Sequence, residues 1–165
     1  MKYSIVYSSQ TGNTKQLADC LQRTLPFSDC LYFGTPAPQA AEAKRLYIGF
    51  WTDKGTCDPQ TAAFLKTLTD QEVFLFGTAG FGVSQAYFDQ VLDRAAAMLP
   101  SSVTVIGRYM CMGRMPMSVR DRYVKLRETD GMQEKMDGMI KNFDRALSHP
   151  DEADLSALAA AVSGI

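Results

Sequence analysis

The chain has 165 residues, 46% of them hydrophobic, enough for one domain to bury a sizeable core without disulfide or metal staples. Seventeen Lys and Arg against eighteen Asp and Glu leave a formal charge of -1, which argues against broad electrostatic binding to nucleic acid or to an anionic membrane. MKYSIVYSS passes directly into an alternating strand pattern, without a signal-like apolar segment or a run of membrane-spanning length, so a cytoplasmic location is expected. Cys20, Cys30, Cys57 and Cys111 form no CxxC pair and His149 is the only histidine, which predicts free thiols and no metal centre.

Short apolar, β-branched or aromatic runs alternate with helical patterns, the signature of βαβ units and a parallel sheet. Strands are expected over 2–7, 29–33, 45–51, 72–77 and 102–108. Helices are expected over 13–25, 58–69 and 84–98, with Asn13 or Thr14, Asp58-Pro59 and Ser84 as their starting signals. Residues 34–44 contain two prolines and an Ala/Glu stretch and predict a turn with at most one short helix. Helical periodicity returns over 118–127 and 131–148. The reading is one domain over 1–149 and a tail over 150–165 that is either a docking helix or a frayed end.

The segment after the first strand, Ser8-Ser9-Gln10-Thr11-Gly12-Asn13-Thr14, joins a strand to a helix through hydroxyls, amides and a glycine. Backbone N–H groups and hydroxyls can point into one concavity, toward which the helix N-terminus adds about half a positive charge. With no Lys or Arg among its donors, such a cradle suits a small, snugly held monophosphate. Neither GxxxxGK[ST] nor GxGxxG occurs, which excludes P-loop and Rossmann readings. The loop also lacks a cysteine nucleophile and an acidic Mg²⁺ ligand.

Ile5 to Thr14, followed by Ala18 and Leu21, resembles the signature of the flavodoxin family. The resemblance implies a three-layer α/β sandwich with a five-stranded parallel sheet in the order 2-1-3-4-5. It also implies FMN as cofactor, with Ser9, Gln10, Thr11, Asn13 and Thr14 around its phosphate, Gly12 allowing close backbone approach, and Ser8 a lesser candidate. In that topology, the loops after strands one, three and four meet at one switch point. The second of them contains Trp51, Thr52, Asp53, Lys54 and Gly55: a flat indole for flavin stacking, a lysine able to stabilise reduced-flavin charge, and a glycine able to take φ > 0. The third, with Thr78, Ala79, Gly80, Phe81 and Gly82, offers amides to the polar edge of the ring and an aromatic cover. The WTDKGT loop and Cys111-Met112-Gly113-Arg114 further resemble a subgroup of flavodoxin-domain proteins that accompany bilirubin reductases in anaerobic gut bacteria.

Six cations stand against Asp121 alone between Arg108 and Arg127, and eight acids against three cations follow from Glu128 onward. Flavodoxins serving several partners are strongly acidic, so this departure points to one dedicated redox partner, a reductase of a substrate such as a tetrapyrrole. Met110, Met112, Met115 and Met117 in the same stretch suit either the flavin rim, a partner, or the core beneath the last helices. Burial beside Trp51 and a phosphate, with no arginine at the ring, predicts a low flavin potential. Two other readings stay open: an NAD(P)H-dependent flavin or quinone reductase on the same fold, and a cofactor-free module whose basic stretch binds an acidic protein.

Overall fold

A computed structural model describes residues 1–82 and 84–165. Five parallel strands, β1 (Tyr3–Tyr7), β2 (Cys30–Gly34), β3 (Arg45–Asp53), β5 (Glu72–Ala79) and β6 (Thr104–Met112), pair in the order β2-β1-β3-β5-β6. The two-residue β4 (Thr56–Cys57) pairs antiparallel with the end of β3. Without that small strand, the order is the one the flavodoxin resemblance implies.

Burial on both faces explains the apolar density of the central strands. Leu46, Ile48 and Phe50 of β3 and Val73 and Leu75 of β5 join one core cluster; Tyr47, Phe74 and Phe76 join the other. The first cluster is covered by α2 (Pro59–Leu65) and α3 (Gln85–Ala96), the second by α1 (Asn13–Thr24) and α6 (Glu152–Val162). Side chains such as Leu65 and Leu21 are wholly buried, each worth about 1.5–3 kcal/mol of transfer free energy. Gly49 lies opposite Phe76, and Phe50 opposite Gly77, so the ring of each pair occupies the space that its partner's Cβ would need.

Several boundaries differ from the sequence expectation. β3 runs to Asp53 because the chain turns back through Lys54 (φ 52°) and Gly55 (φ 82°), two consecutive left-handed residues that close a tight hairpin onto β4. β6 runs four residues past 108, taking Met110, Cys111 and Met112 into the buried strand. α2 ends at Leu65 rather than 69. The 150–165 segment forms α6, whose Leu158 and Val162 are buried in the cluster shared with α1. Asp151 and Asp154 cap it reciprocally.

α4 (Met117–Leu126) and α5 (Gln133–Ala146) form a helical hairpin beyond β6 with its own small core of Tyr123, Met136 and Phe143. Arg120 pairs with Asp144 and Arg127 with Asp137, so part of the basic stretch is neutralised by the acidic stretch that follows it. Arg108 pairs instead with Asp89 and Asp93 on α3. No helix of the described residues is long and apolar enough to cross a membrane.

Candidate functional site

The carboxyl ends of β1, β3, β5 and β6 open on a cleft of about 400 Å³. Ser9, Gln10, Thr11, Asn13 and Thr14 line it from the first loop, and Trp51, Thr52, Lys54 and Gly55 from the β3–β4 hairpin. Thr78, Ala79, Gly80 and Phe81 contribute from the end of β5. Of the residues singled out in the sequence, Gly12, Asp53 and Gly82 lie outside its lining; Gly82 borders a second groove beside α5. Ser8 is buried behind the loop, its hydroxyl 3.3 Å from Gln60 Oε1.

Side chains brace the loops against one another. Thr14 is 1% exposed; its hydroxyl lies 3.1 Å from both the Phe50 carbonyl and Thr78 Oγ1. Thr52 Oγ1 donates to the Thr78 carbonyl at 2.9 Å. Asn13 Nδ2 donates to the Arg114 carbonyl at 2.7 Å and to Thr11 Oγ1 at 3.0 Å, and Gly113 packs where any Cβ would collide with the Asn13 amide. Asn13 and Thr14 therefore spend side-chain donors on holding the loops together, a role that the sequence motif did not disclose.

Ser9, Gln10 and Thr11 bring side-chain donors to the cleft, and the start of α1 beside them brings backbone ones. Gly12, at φ 89°, precedes α1 without a side-chain cap, leaving the first turn's N–H groups to an acceptor from outside the helix. Ser9 Oγ is such an acceptor, receiving Gly12 N–H at 3.1 Å and Lys15 N–H at 3.3 Å. One oxygen already satisfies two amides at this point, so the concavity has the geometry of an anion nest. Asn13 Oδ1 is buried without a partner, an orphan acceptor that a hydroxyl or N–H group of a ligand would satisfy.

The hairpin that carries Trp51 is fixed from two sides. Asp58 N–H donates to the Trp51 carbonyl at 3.0 Å, and buried Asp58 caps α2 through Thr61. Arg94 of α3 donates to the Gly55 carbonyl at 2.9 Å. The indole is half-buried and faces the cleft, on which Phe81 forms an exposed rim stacked edge-on with Tyr87.

Tyr87, Gly113, Arg114, Pro116 and Val119 also line the cleft without having been assigned to it from the sequence, and so does Met115, for which the flavin rim is one of three expectations. The signal was available: CMGRMP sits where β6 reaches the same end of the sheet. Gly80 packs so closely on Met115 that a Cβ there would lie 2.4 Å from its Cγ, so Met115 flanks the loop while Met110 and Met112 fill the core. Arg114 and Lys54 border the cleft and no acid does, which removes the premise that no arginine stands near the ring. Cys111 is excluded from the cleft: it is buried, and desolvation followed by the nearby Asp154 charge pushes its thiol far above the usual range. A thiol so held is a poor nucleophile. His149, Asp151 and Asp154 could offer ligand atoms within 4.8 Å of one another, but His149 Nδ1 and the Asp151 N–H both bond Asp154 Oδ2 as part of the α6 cap.

Residues 4–163 match the flavodoxin domain family model. The chain belongs to the flavodoxin family. It is similar to the flavodoxin-like domain-containing protein BilS of Clostridium symbiosum, with 42% identity over 95% of this chain and 92% of that protein. BilS of Clostridioides difficile is 25% identical over 94% of this chain and 90% of its own length. Among solved structures, a short-chain flavodoxin associated with a bacterial microcompartment superposes with a TM-score of 0.54 at 14% identity, covering 88% of this chain and 97% of its own, a likeness of fold.

Proposed function

We propose that the cleft holds FMN and that the chain passes electrons from it to a dedicated partner reductase, of the kind that acts on a tetrapyrrole such as bilirubin. The carrying observation is the amide nest at Gly12–Lys15, closed by Ser9 Oγ, in a loop whose Ser9, Gln10 and Thr11 line the same cleft as the half-buried indole of Trp51. A phosphate replaces the Ser9 hydroxyl as acceptor, with Gln10 and Thr11 at its exposed side, while Asn13 and Thr14 contribute backbone N–H groups and fix the loop. Trp51 and Phe81 present aromatic surface to a planar ring, and the Thr78–Gly82 segment supplies backbone groups to its polar edge. FMN, when bound, supplies the redox chemistry; the chain supplies position and charge.

Lys54 and Arg114 at the cleft favour negative charge on the ring side and so oppose the lowering of potential expected from burial alone. The same two cations favour a second reading, in which NAD(P)H docks at the cleft and reduces the flavin directly. The test is anaerobic mixing of FMN-loaded protein with NADH or NADPH in a stopped-flow spectrometer. A carrier keeps its oxidised flavin absorbance until a reductant protein or dithionite is added; rapid bleaching by the nucleotide alone establishes the reductase instead.

A further inference from the structure

A second groove of about 740 Å³ runs between the β5 loop and α5, sharing Phe81 with the flavin cleft. Lys135, Lys141 and Arg145 line it, and no Asp or Glu does. Spaced over eleven residues on the groove side of α5, these cations span about 15 Å. None has an ion-pair partner among the described residues. On α4, Arg120 and Arg127 take Asp144 and Asp137, two of the three acids of α5, as their ion-pair partners, which leaves Lys141 only a longer-range attraction to Asp137. With Lys54 and Arg114 of the adjoining cleft, five cations and no acid border the two openings on a chain whose formal charge is -1.

Gly138 lies in the middle of α5 and lines the same groove, where a Cβ would meet nothing within 4 Å beyond its chain neighbours and the backbone of its own helix. Glycine weakens a helix interior, and nothing inside the protein requires it at this position. The helix backbone between Lys135 and Lys141 is thus open to the groove, beside the flexible apolar side chain of Met139.

We infer that this groove is the docking surface for an acidic face of a redox-partner protein. The inference rests on the electron-transfer reading for the flavin's place beside Phe81, but not for binding itself. Exposed cations of this kind gain little as isolated pairs in water, and act chiefly by steering and orienting a partner of opposite charge. A carboxylate-bearing segment laid along α5 brings the partner to Phe81 and so to the rim of the flavin cleft.

The test titrates the protein, with and without FMN, against two redox proteins of opposite surface charge, an acidic plant-type [2Fe–2S] ferredoxin and the basic cytochrome c, by calorimetry at low and high salt. The ferredoxin binds at low salt and cytochrome c does not. The K135E/K141E/R145E variant lowers ferredoxin affinity at least about tenfold, with its melting temperature and FMN content unchanged. The neutral K135Q/K141Q/R145Q variant falls between, and K66E, outside the groove, changes nothing. Gly138→Met raises the melting temperature slightly and weakens binding several-fold. Absence of ferredoxin binding, preference for cytochrome c, or an unchanged affinity in the charge-reversed variant overturns the inference, as does NADPH binding lost in that variant while ferredoxin affinity stays the same. Ferredoxin binding by a protein that takes up no FMN keeps the docking surface and overturns the flavin reading.

Discussion

At the β1–α1 loop, polar side chains are tied to neighbouring strands: Thr14 to Phe50 and Thr78, Asn13 to Arg114, and Thr52 to Thr78. Across the cleft, the α4–α5 hairpin rests on three buried residues, two exposed Arg–Asp pairs and the bond from Asn142 Nδ2 to the Gly80 carbonyl at 2.8 Å. The first region is a rigid seat set into the sheet, and the second an annex with a small core of its own. Regions with few buried contacts open at lower free energy than the core, so the hairpin is suited to adjusting to a partner's surface while the loop keeps one geometry.

The largest expected effect separates the two. Phe143 is fully buried in the hairpin core, and Phe143→Ala should cost about 3–5 kcal/mol of the hairpin's stability. Hydrogen exchange should then show α4 and α5 amides opening while β1, β3 and β5 stay protected; equal loss of protection in the sheet would show that the annex is no separate unit. Next, Ser9→Asp places a fixed negative charge at the oxygen that accepts from Gly12 and Lys15, and should lower FMN affinity roughly a hundredfold, near 2.7 kcal/mol. Fluorescence titration of the variant, whose folding circular dichroism confirms, measures this.

Thr14→Val strips the buried hydroxyl that joins the first loop to Phe50 and Thr78 and should cost about 1–2 kcal/mol of global stability in denaturant unfolding. No change would mean that the bracing carries little weight. The smallest effects come from pH. Arg127 holds Asp137, and Arg120 holds Asp144, below the usual carboxylate value, so their stabilisation is present above about pH 4 and fades as pH falls through the lowered value. Because both are exposed, the loss should be small and confined to the hairpin. At the other extreme, burial raises Tyr3 from the ordinary tyrosine value to about 12. Its contribution is present below about pH 10 and is lost as pH rises toward 12, a change that belongs to the sheet rather than to the hairpin.

The seat was legible in the sequence, and so were the two helices of the annex; how the annex pairs its charges was not. Ser8–Thr14 lies between a strand and a helix with a run of donors that has few physical uses, and the topology of a parallel sheet carries Trp51 and Thr78–Phe81 to the same end. Local pattern also gave the caps at Asp58 and Ser84. It did not show that Asn13 and Thr14 turn their side chains to other loops, since those partners, Arg114 and Thr78, are distant in sequence. The Lys54–Gly55 hairpin hid because its second strand is only two residues long. The arginines of 108–127 read as a patch awaiting a partner, yet Arg108, Arg120 and Arg127 find acids within the chain, and the cations that line the second groove sit one helix later. Charge counted along a sequence does not reveal which charges the fold will pair.

The central claim is that a backbone nest for phosphate and the indole of Trp51 face one planar ligand. Trp51 is the only tryptophan, so its emission reports that contact without a label. Titrating the cofactor-free protein with FMN should quench the emission to a sharp end point at one FMN per chain, and riboflavin, which lacks the phosphate, should require far higher concentrations for the same quenching. Emission unchanged in excess FMN, or equal quenching by riboflavin, would contradict the account.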